Sequence, residues 1–308
     1  MKNIYITGIA GLLGINLSYY LKTNYKIIGV DIFKLNLPKV IVETYDILDR
    51  EALEKSLVNN KVDIVIHTVA AVDVDNCEEN PSYAERINTH VTKILAELCY
   101  KNNIKMIYIS TDAVFNGSCN KLYTEDDETN PINVYGKTKL DGEKYVLSYP
   151  NNLVLRTNIY GYNIQNKNSF GEWVLYSLLN DKTMNMFSDI YFSPILVNEF
   201  AEILSIIIQR DLYGLYHLCG TGTISKYQFG IELKRIFGIK TGQINNTYSD
   251  SFSFKAKRSK NMSMSNKKLS NELGIHIRTP LESLKYFKKL YDNGYPQILK
   301  GMRNDYAN

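Results

Sequence analysis

Polar and apolar positions along this chain follow two alternating rhythms. Short apolar runs at residues 4–6, 25–30, 40–45, 62–67, 105–109 and 153–157 have the length and the Ile, Val and Tyr content of buried strands. Between them, from 12 to 21, 50 to 59, 83 to 100 and from 135 onward, apolar residues recur at helical spacing, and Asp49 stands where an N-cap belongs. Strands that alternate with helices of ten or more residues predict βαβ units, a parallel sheet and helices on both faces. After residue 157 the rhythm changes to an Asn-rich loop, a helix at 170–180, a short strand at 184–187 and a strongly apolar helix at 197–209. A strand at 214–218 and helices at 226–237 and 281–291 follow, with no internal repeat. The expected fold is therefore α/β: a Rossmann-type, doubly wound parallel sheet with a smaller C-terminal substrate-binding lobe. Residues 1–157 form the nucleotide-binding part, with 190–222 returning to it. Residues 158–189 and 223–308 form the lobe, over the carboxyl ends of the strands where open α/β sheets bind ligands.

Candidate chemistry falls at the strand ends. Gly8, Gly11 and Gly14 make G-x-x-G-x-x-G between the first strand and the first helix, with Leu12 and Leu13 opening that helix. Such glycines provide a tight turn, a close approach to a pyrophosphate and close helix–strand contact, with the phosphates at the helix N-terminus. Asp31 ends the second strand, 17 residues after the third glycine, near the spacing of a ribose-binding acid. A carboxylate there accepts ribose hydroxyls and repels a 2′-phosphate, so NAD(H) is favoured slightly over NADP(H), with Lys34 arguing the other way. Asp46 and Ile47, then Val69, Ala70 and Ala71, then Ser110 end the next three strands and complete the expected cofactor contacts. Tyr135 and Lys139 lie four residues apart, one turn along one helix face. An ammonium there stabilises a phenolate and lowers a pKa that is ordinarily about 10. A hydroxyl from Ser110 or Thr111 completes a proton-donating site.

Composition narrows the choice of function. The formal net charge is only +4, and the basic stretch at 255–260 is short and reads as a solvated loop, so nothing argues for nucleic acid. The acidic run at 125–128 reads the same way. Cys77, Cys99, Cys119 and Cys219 are scattered without a C-x-x-C pair and the histidines lack metal spacing, so no metal site is expected. His67 reads as a satisfied core histidine. The chain enters a strand pattern at once, leaving no room for a signal peptide, and no apolar run reaches the roughly 18 residues of a membrane span. A cytoplasmic protein is expected.

Together these residues resemble the extended short-chain dehydrogenase/reductase superfamily, and within it the dTDP-4-dehydrorhamnose reductase family. Its S-T-D-x-V-F-x-G signature is matched from Ser110 to Gly117, and its Y-G-x-x-K-x-x-G-E from Tyr135 to Glu143. Val72 and Asp73 with Cys77, Glu78 and Pro81, then Leu155 to Thr157 with Tyr160 and Gly161, echo further segments. Ser193 and Pro194, with Arg258 and Leu269, echo the substrate lobe. The resemblance implies NAD(P)H-dependent reduction of a 4-keto group on a nucleotide-linked deoxysugar, in polysaccharide biosynthesis. It implies Tyr135 as proton donor, Thr111 as a holder of the carbonyl oxygen and Lys139 as a ligand of the nicotinamide ribose. Asp112, Ala113, Phe115, Asn158, Trp173 and Arg258 would face the sugar nucleotide, and Asn88 would be the superfamily's structural asparagine. A homodimer is compatible with it.

Two departures stand out. Asn158 and Ile159 follow the Arg-Thr pair where the family usually has an aromatic residue. Ala113 stands where the rhamnose enzymes commonly carry Tyr. Ala113 also disfavours a 4,6-dehydratase, which needs an acid at that place for elimination. A nucleotide-sugar epimerase and a non-catalytic dinucleotide-binding regulatory subunit stay open.

Overall fold

A computed structural model describes residues 1–165 and 167–302 of the 308-residue chain. The last residues of the expected lobe, 303–308, lie outside the described residues.

The strand runs are apolar without alternation because both faces of the sheet are covered. They form β1 (Asn3–Thr7), β2 (Lys26–Asp31), β3 (Val40–Thr44), β4 (Ile64–His67), β5 (Lys105–Thr111) and β6 (Leu153–Thr157). Together with Gly214–His217 they make a seven-stranded, all-parallel sheet in the order β3-β2-β1-β4-β5-β6 and then Gly214–His217. Along β1, Ile4 and Ile6 join the core on one face and Tyr5 the core on the other, as the two-residue strand period requires. Helix α1 (Leu12–Leu21) packs against the helix Val197–Arg210. Helix α2 (Arg50–Asn59) is capped by Asp49, whose side chain accepts from the Ala52 amide. The order of strands reverses at β1, between β2 and β4. That is the switch point where a crevice opens beyond the carboxyl ends.

The continuous helix expected at 83–100 is interrupted. After α3 (Val74–Glu79), α4 (Pro81–Glu85) runs into a π-helical turn, Arg86–His90, before α5 (Val91–Lys101). The wider turn presents Asn88 to the interior. Its Oδ1 accepts from the Ala71 amide at 2.8 Å, while its Nδ2 donates to the Ala71 carbonyl and to Thr138 Oγ1, each at 3.1 Å. One side chain thus ties the end of β4 to helix α6 (Val134–Leu147), which carries Tyr135 and Lys139.

Beyond β6, Thr183–Phe187 pairs in parallel with Gln243–Thr247, and Tyr191–Phe192 lies between Ile224–Ser225 and Asn261–Met262. The helix Phe170–Leu179 opens with a capping box between Ser169 and Glu172. The 255–260 stretch is not the solvated loop expected from its charges. Arg258 donates to Asp75 Oδ2 at 2.8 Å, the Ala256 amide donates to Asp75 Oδ1 at 3.0 Å, and Lys255 pairs with Glu79. Its cations meet the carboxylates of α3 and tie the lobe to the edge of the crevice. Among the described residues no helix is long and apolar enough to cross a membrane.

Candidate active site

A cleft of about 830 Å³ runs along the carboxyl ends of the strands, from the glycine turn to the start of α6. At its first end Gly8 adopts φ +70°, a conformation that favours glycine. Helix α1 begins after Gly11 with no side-chain cap and no acid in its first turn, which leaves the positive end of the helix for an anion. Gly8, Gly11, Leu12 and Leu13 line the cleft. Gly14 does not. A Cβ there would lie 2.2 Å from the Gly8 carbonyl oxygen, so it is the contact between helix and turn that requires glycine. Asp31 lines the cleft while its Oδ2 accepts from the Ala10 amide at 2.9 Å, holding the turn in shape. Asp46, Ile47, Val69 and Ala70 line the same stretch. Ala71 turns away, buried, with its backbone held by Asn88.

At the other end β5 and α6 meet. Asn133 caps α6 by accepting from the Gly136 amide at 2.9 Å, which sets Tyr135 in the first turn and Lys139 one turn on. Thr111, Asp112, Ala113, Tyr135 and Lys139 all line the cleft. Burial pushes the Tyr135 phenol up to about 12, with the Thr111 hydroxyl beside it acting in the opposite sense. Burial also brings Lys139 down to about 7, against the pull of the Glu143 carboxylate. The Lys139 ammonium donates to the Ile109 carbonyl at 2.7 Å and lies 4.1 Å from the centre of the Tyr108 ring. The expected lowering of the tyrosine by its lysine is therefore not what this geometry gives. Desolvation dominates at the phenol, and the lysine's hydrogen bond goes to the strand.

The remaining expected residues divide. Ser110 borders the cleft, but its hydroxyl donates to Glu143 Oε1 at 2.5 Å. Asp112 is buried, accepts from Asn158 Nδ2 at 2.5 Å and from the Thr111 hydroxyl at 3.1 Å, and has its carboxyl raised by burial. Asn158 lines the cleft where the family's aromatic residue was expected. Phe115 does not face it. Its ring is fully buried, stacked on Tyr123 at 4.2 Å with the Arg156 guanidinium 5.2 Å away, because the following loop folds over it. Trp173 also misses the main cleft and lines an adjoining annex of about 300 Å³, while Arg258 borders both.

Sequence reasoning missed three neighbours. Gln165 Nε2 donates to the Ala10 carbonyl at 2.9 Å from a loop with no periodicity to mark it. Lys226 stands in the annex wall, far along the chain. Asn133 could have been found, as an Asn before a helical pattern is an N-cap signal.

Residues 1–292 match the RmlD substrate binding domain family. A crystal structure of a dTDP-4-dehydrorhamnose reductase from Clostridium acetobutylicum superposes with a TM-score of 0.83 at 30% identity, covering 94% of this chain and 100% of that one. The dTDP-4-dehydrorhamnose reductase of Aggregatibacter actinomycetemcomitans is 28% identical over 243 residues, 76% of this chain and 78% of that protein. Methionine adenosyltransferase 2 subunit beta of Mus musculus is 29% identical over 293 residues, 92% of this chain and 85% of that protein. The matched span runs from the glycine turn through the lobe, so the chain belongs to the RmlD substrate binding domain family, within the extended short-chain dehydrogenase/reductase superfamily.

Proposed function

We propose that this protein is an NAD(P)H-dependent oxidoreductase of the short-chain dehydrogenase/reductase type that reduces the 4-keto group of a nucleotide-linked deoxysugar. One observation carries the reading. Thr111, Tyr135 and Lys139 border the same cleft whose far end is the Gly8–Gly11 turn and Asp31. The uncapped α1 N-terminus suits a pyrophosphate, and the positive φ of Gly8 keeps side-chain bulk out of that approach. A nicotinamide dinucleotide bound along the cleft supplies the hydride.

The chain's own residues do the rest. Thr111 turns its hydroxyl from Asp112 to the substrate carbonyl oxygen and stabilises the negative charge that develops there, acting as one oxyanion donor. Tyr135, a phenol throughout the neutral range, gives its proton to the forming alkoxide. Lys139 swings from the Ile109 carbonyl toward the cleft, where its charge favours the tyrosinate left behind. Asp112, locked by Asn158, accepts a sugar hydroxyl.

The test is net oxidation of NADH or NADPH by the purified protein with a dTDP-4-dehydro-6-deoxy sugar. Turnover without net oxidation would mean an epimerase. Cofactor binding without turnover would favour a subunit role, the reading supported by the likeness to a methionine adenosyltransferase subunit across 92% of the chain.

Cofactor choice is a separate expectation. Asp31→Ala weakens NADH by about tenfold, the scale of hydrogen bonds to a charged group, and NADPH by much less. Loss of the Ala10 contact acts on both cofactors alike, so the ratio of the two dissociation constants, read by nucleotide fluorescence, is the measurement. An unchanged ratio would remove the preference for NADH.

A further inference from the structure

The annex beside the catalytic cleft is walled by Phe170, Trp173, Phe187, Ile190, Phe254 and Met262. Val74, Arg258, Ser259 and Met262 border both spaces, so the two are continuous. Two cations stand in this apolar wall. The Arg258 guanidinium is already committed to Asp75 at 2.8 Å. Lys226 is not. Its ammonium lies 3.4 Å from the centre of the Phe192 ring and 4.2 Å from that of Phe170, and it has no hydrogen-bond acceptor or ion-pair partner among the described residues. The backbone beneath it is fixed, because the Lys226 amide donates to the Ile190 carbonyl at 3.0 Å and Ser225 caps the helix Lys226–Phe237.

A desolvated ammonium held against two aromatic faces keeps some cation–π stabilisation and lacks the stronger hydrogen bonds that an anion provides. Burial brings it down to about 8, and the one acid that opposes this, Asp112, has its oxygens taken by Asn158 and Thr111. The geometry also decides which ligand comes near. The glycine-turn end of the cleft is the cofactor's, so a nucleotide sugar whose keto group reaches Thr111 and Tyr135 must extend toward the annex.

On that reading of the function, we propose that Lys226 is a substrate-binding residue that takes an anionic oxygen of the nucleotide sugar, either from its diphosphate or from a carboxylate on its sugar ring. The test is calorimetric titration of the NADH-loaded protein with dTDP, UDP, UDP-glucose and UDP-glucuronate. Lys226→Met keeps the aliphatic stem over the two rings and loses the charge. For a diphosphate contact it weakens all four ligands by roughly 10- to 100-fold, the span of a charge-assisted hydrogen bond. For a sugar carboxylate it weakens UDP-glucuronate alone. Lys226→Arg keeps affinity within a few-fold in either case, which a purely structural lysine would not predict. If the Met variant fails to fold, Lys226→Gln gives the same reading. Unchanged affinities in the neutral variant, or no binding of any of the four by the wild type, overturn the proposal. Oxidation of NADH with a 4-keto sugar nucleotide tests the reductase reading by itself, so the two can fail separately.

Discussion

Tyr135→Phe lowers turnover with a 4-keto sugar nucleotide by about 10²- to 10⁴-fold, while the dissociation constant for NADH changes little. This is the range that one positioned proton donor contributes. The variant keeps the ring and removes only the hydroxyl, and the other groups of the site are held independently. Thr111 is fixed by the Ala113 amide at 3.1 Å, and Lys139 by the Ile109 carbonyl at 2.7 Å. Retention of more than about a tenth of wild-type activity would sink the assignment. The pH profile gives a second view of the same machinery. Lys139 is brought down to about 7, so it is charged below that pH and loses its proton above it. Reduction by the wild type therefore falls as pH rises through about 7 in kcat/KM, which reports the free enzyme. Lys139→Met lacks that limb and is slow at every pH. A wild-type profile flat between pH 6 and 8 would show that the lysine's charge does not set the rate.

How far the sequence discloses this site depends on how local each cause is. The strand runs that became β1, β4 and β6 are legible because a sheet covered on both faces needs unbroken apolar stretches. The cap at Asp49 and the glycine turn are equally local, being fixed by residues a few positions apart. Tyr135 and Lys139 share a helix, so their spacing alone puts them on one face. Contacts between distant segments left no such trace. Phe115 lies within the best-matched motif, yet its ring is buried by Tyr123 and Arg156, which no spacing reveals. The basic stretch around Arg258 resembles any solvated loop until α3, six residues long and too short for a periodicity signal, places Asp75 against it. Lys226 begins an ordinary amphipathic helix, and only the rings of Phe170 and Phe192 distinguish it from a surface lysine. The π-turn at Arg86–His90 lay inside a pattern that still reads as continuous helix, since one wider turn hardly alters the apolar periodicity.

Arg156→Met destabilises the protein by about 3–5 kcal/mol, the cost of leaving one member of a buried ion pair without its partner. The pair lies directly behind the end of β5 that carries Thr111. Arg156 donates from Nε to Glu143 Oε1 at 2.9 Å and from NH2 to Oε2 at 2.7 Å, with side chains only 4% and 2% exposed. The same Oε1 accepts from Ser110, so the carboxylate also anchors the residue before Thr111. Without the guanidinium, the Glu143 carboxylate is left in a dry interior without its ion-pair partner, which favours the unfolded chain. Arg156 itself is not fully satisfied, for its NH1 has no hydrogen-bond partner among the described residues. Desolvation thus takes back much of what the pair's attraction gives. The double variant Glu143→Leu with Arg156→Met accordingly loses less stability than Arg156→Met alone, since it leaves no buried carboxylate without its guanidinium. Urea denaturation of the wild type, both single variants and the double variant measures the coupling. Additive losses in that cycle, or a cost below about 1 kcal/mol for Arg156→Met, would mean that the two side chains do not act as a buried pair. The double variant removes both the Ser110 contact and the carboxylate that holds the Lys139 pKa up, so any fall in its kcat at full folding measures what Glu143 contributes through these two residues together.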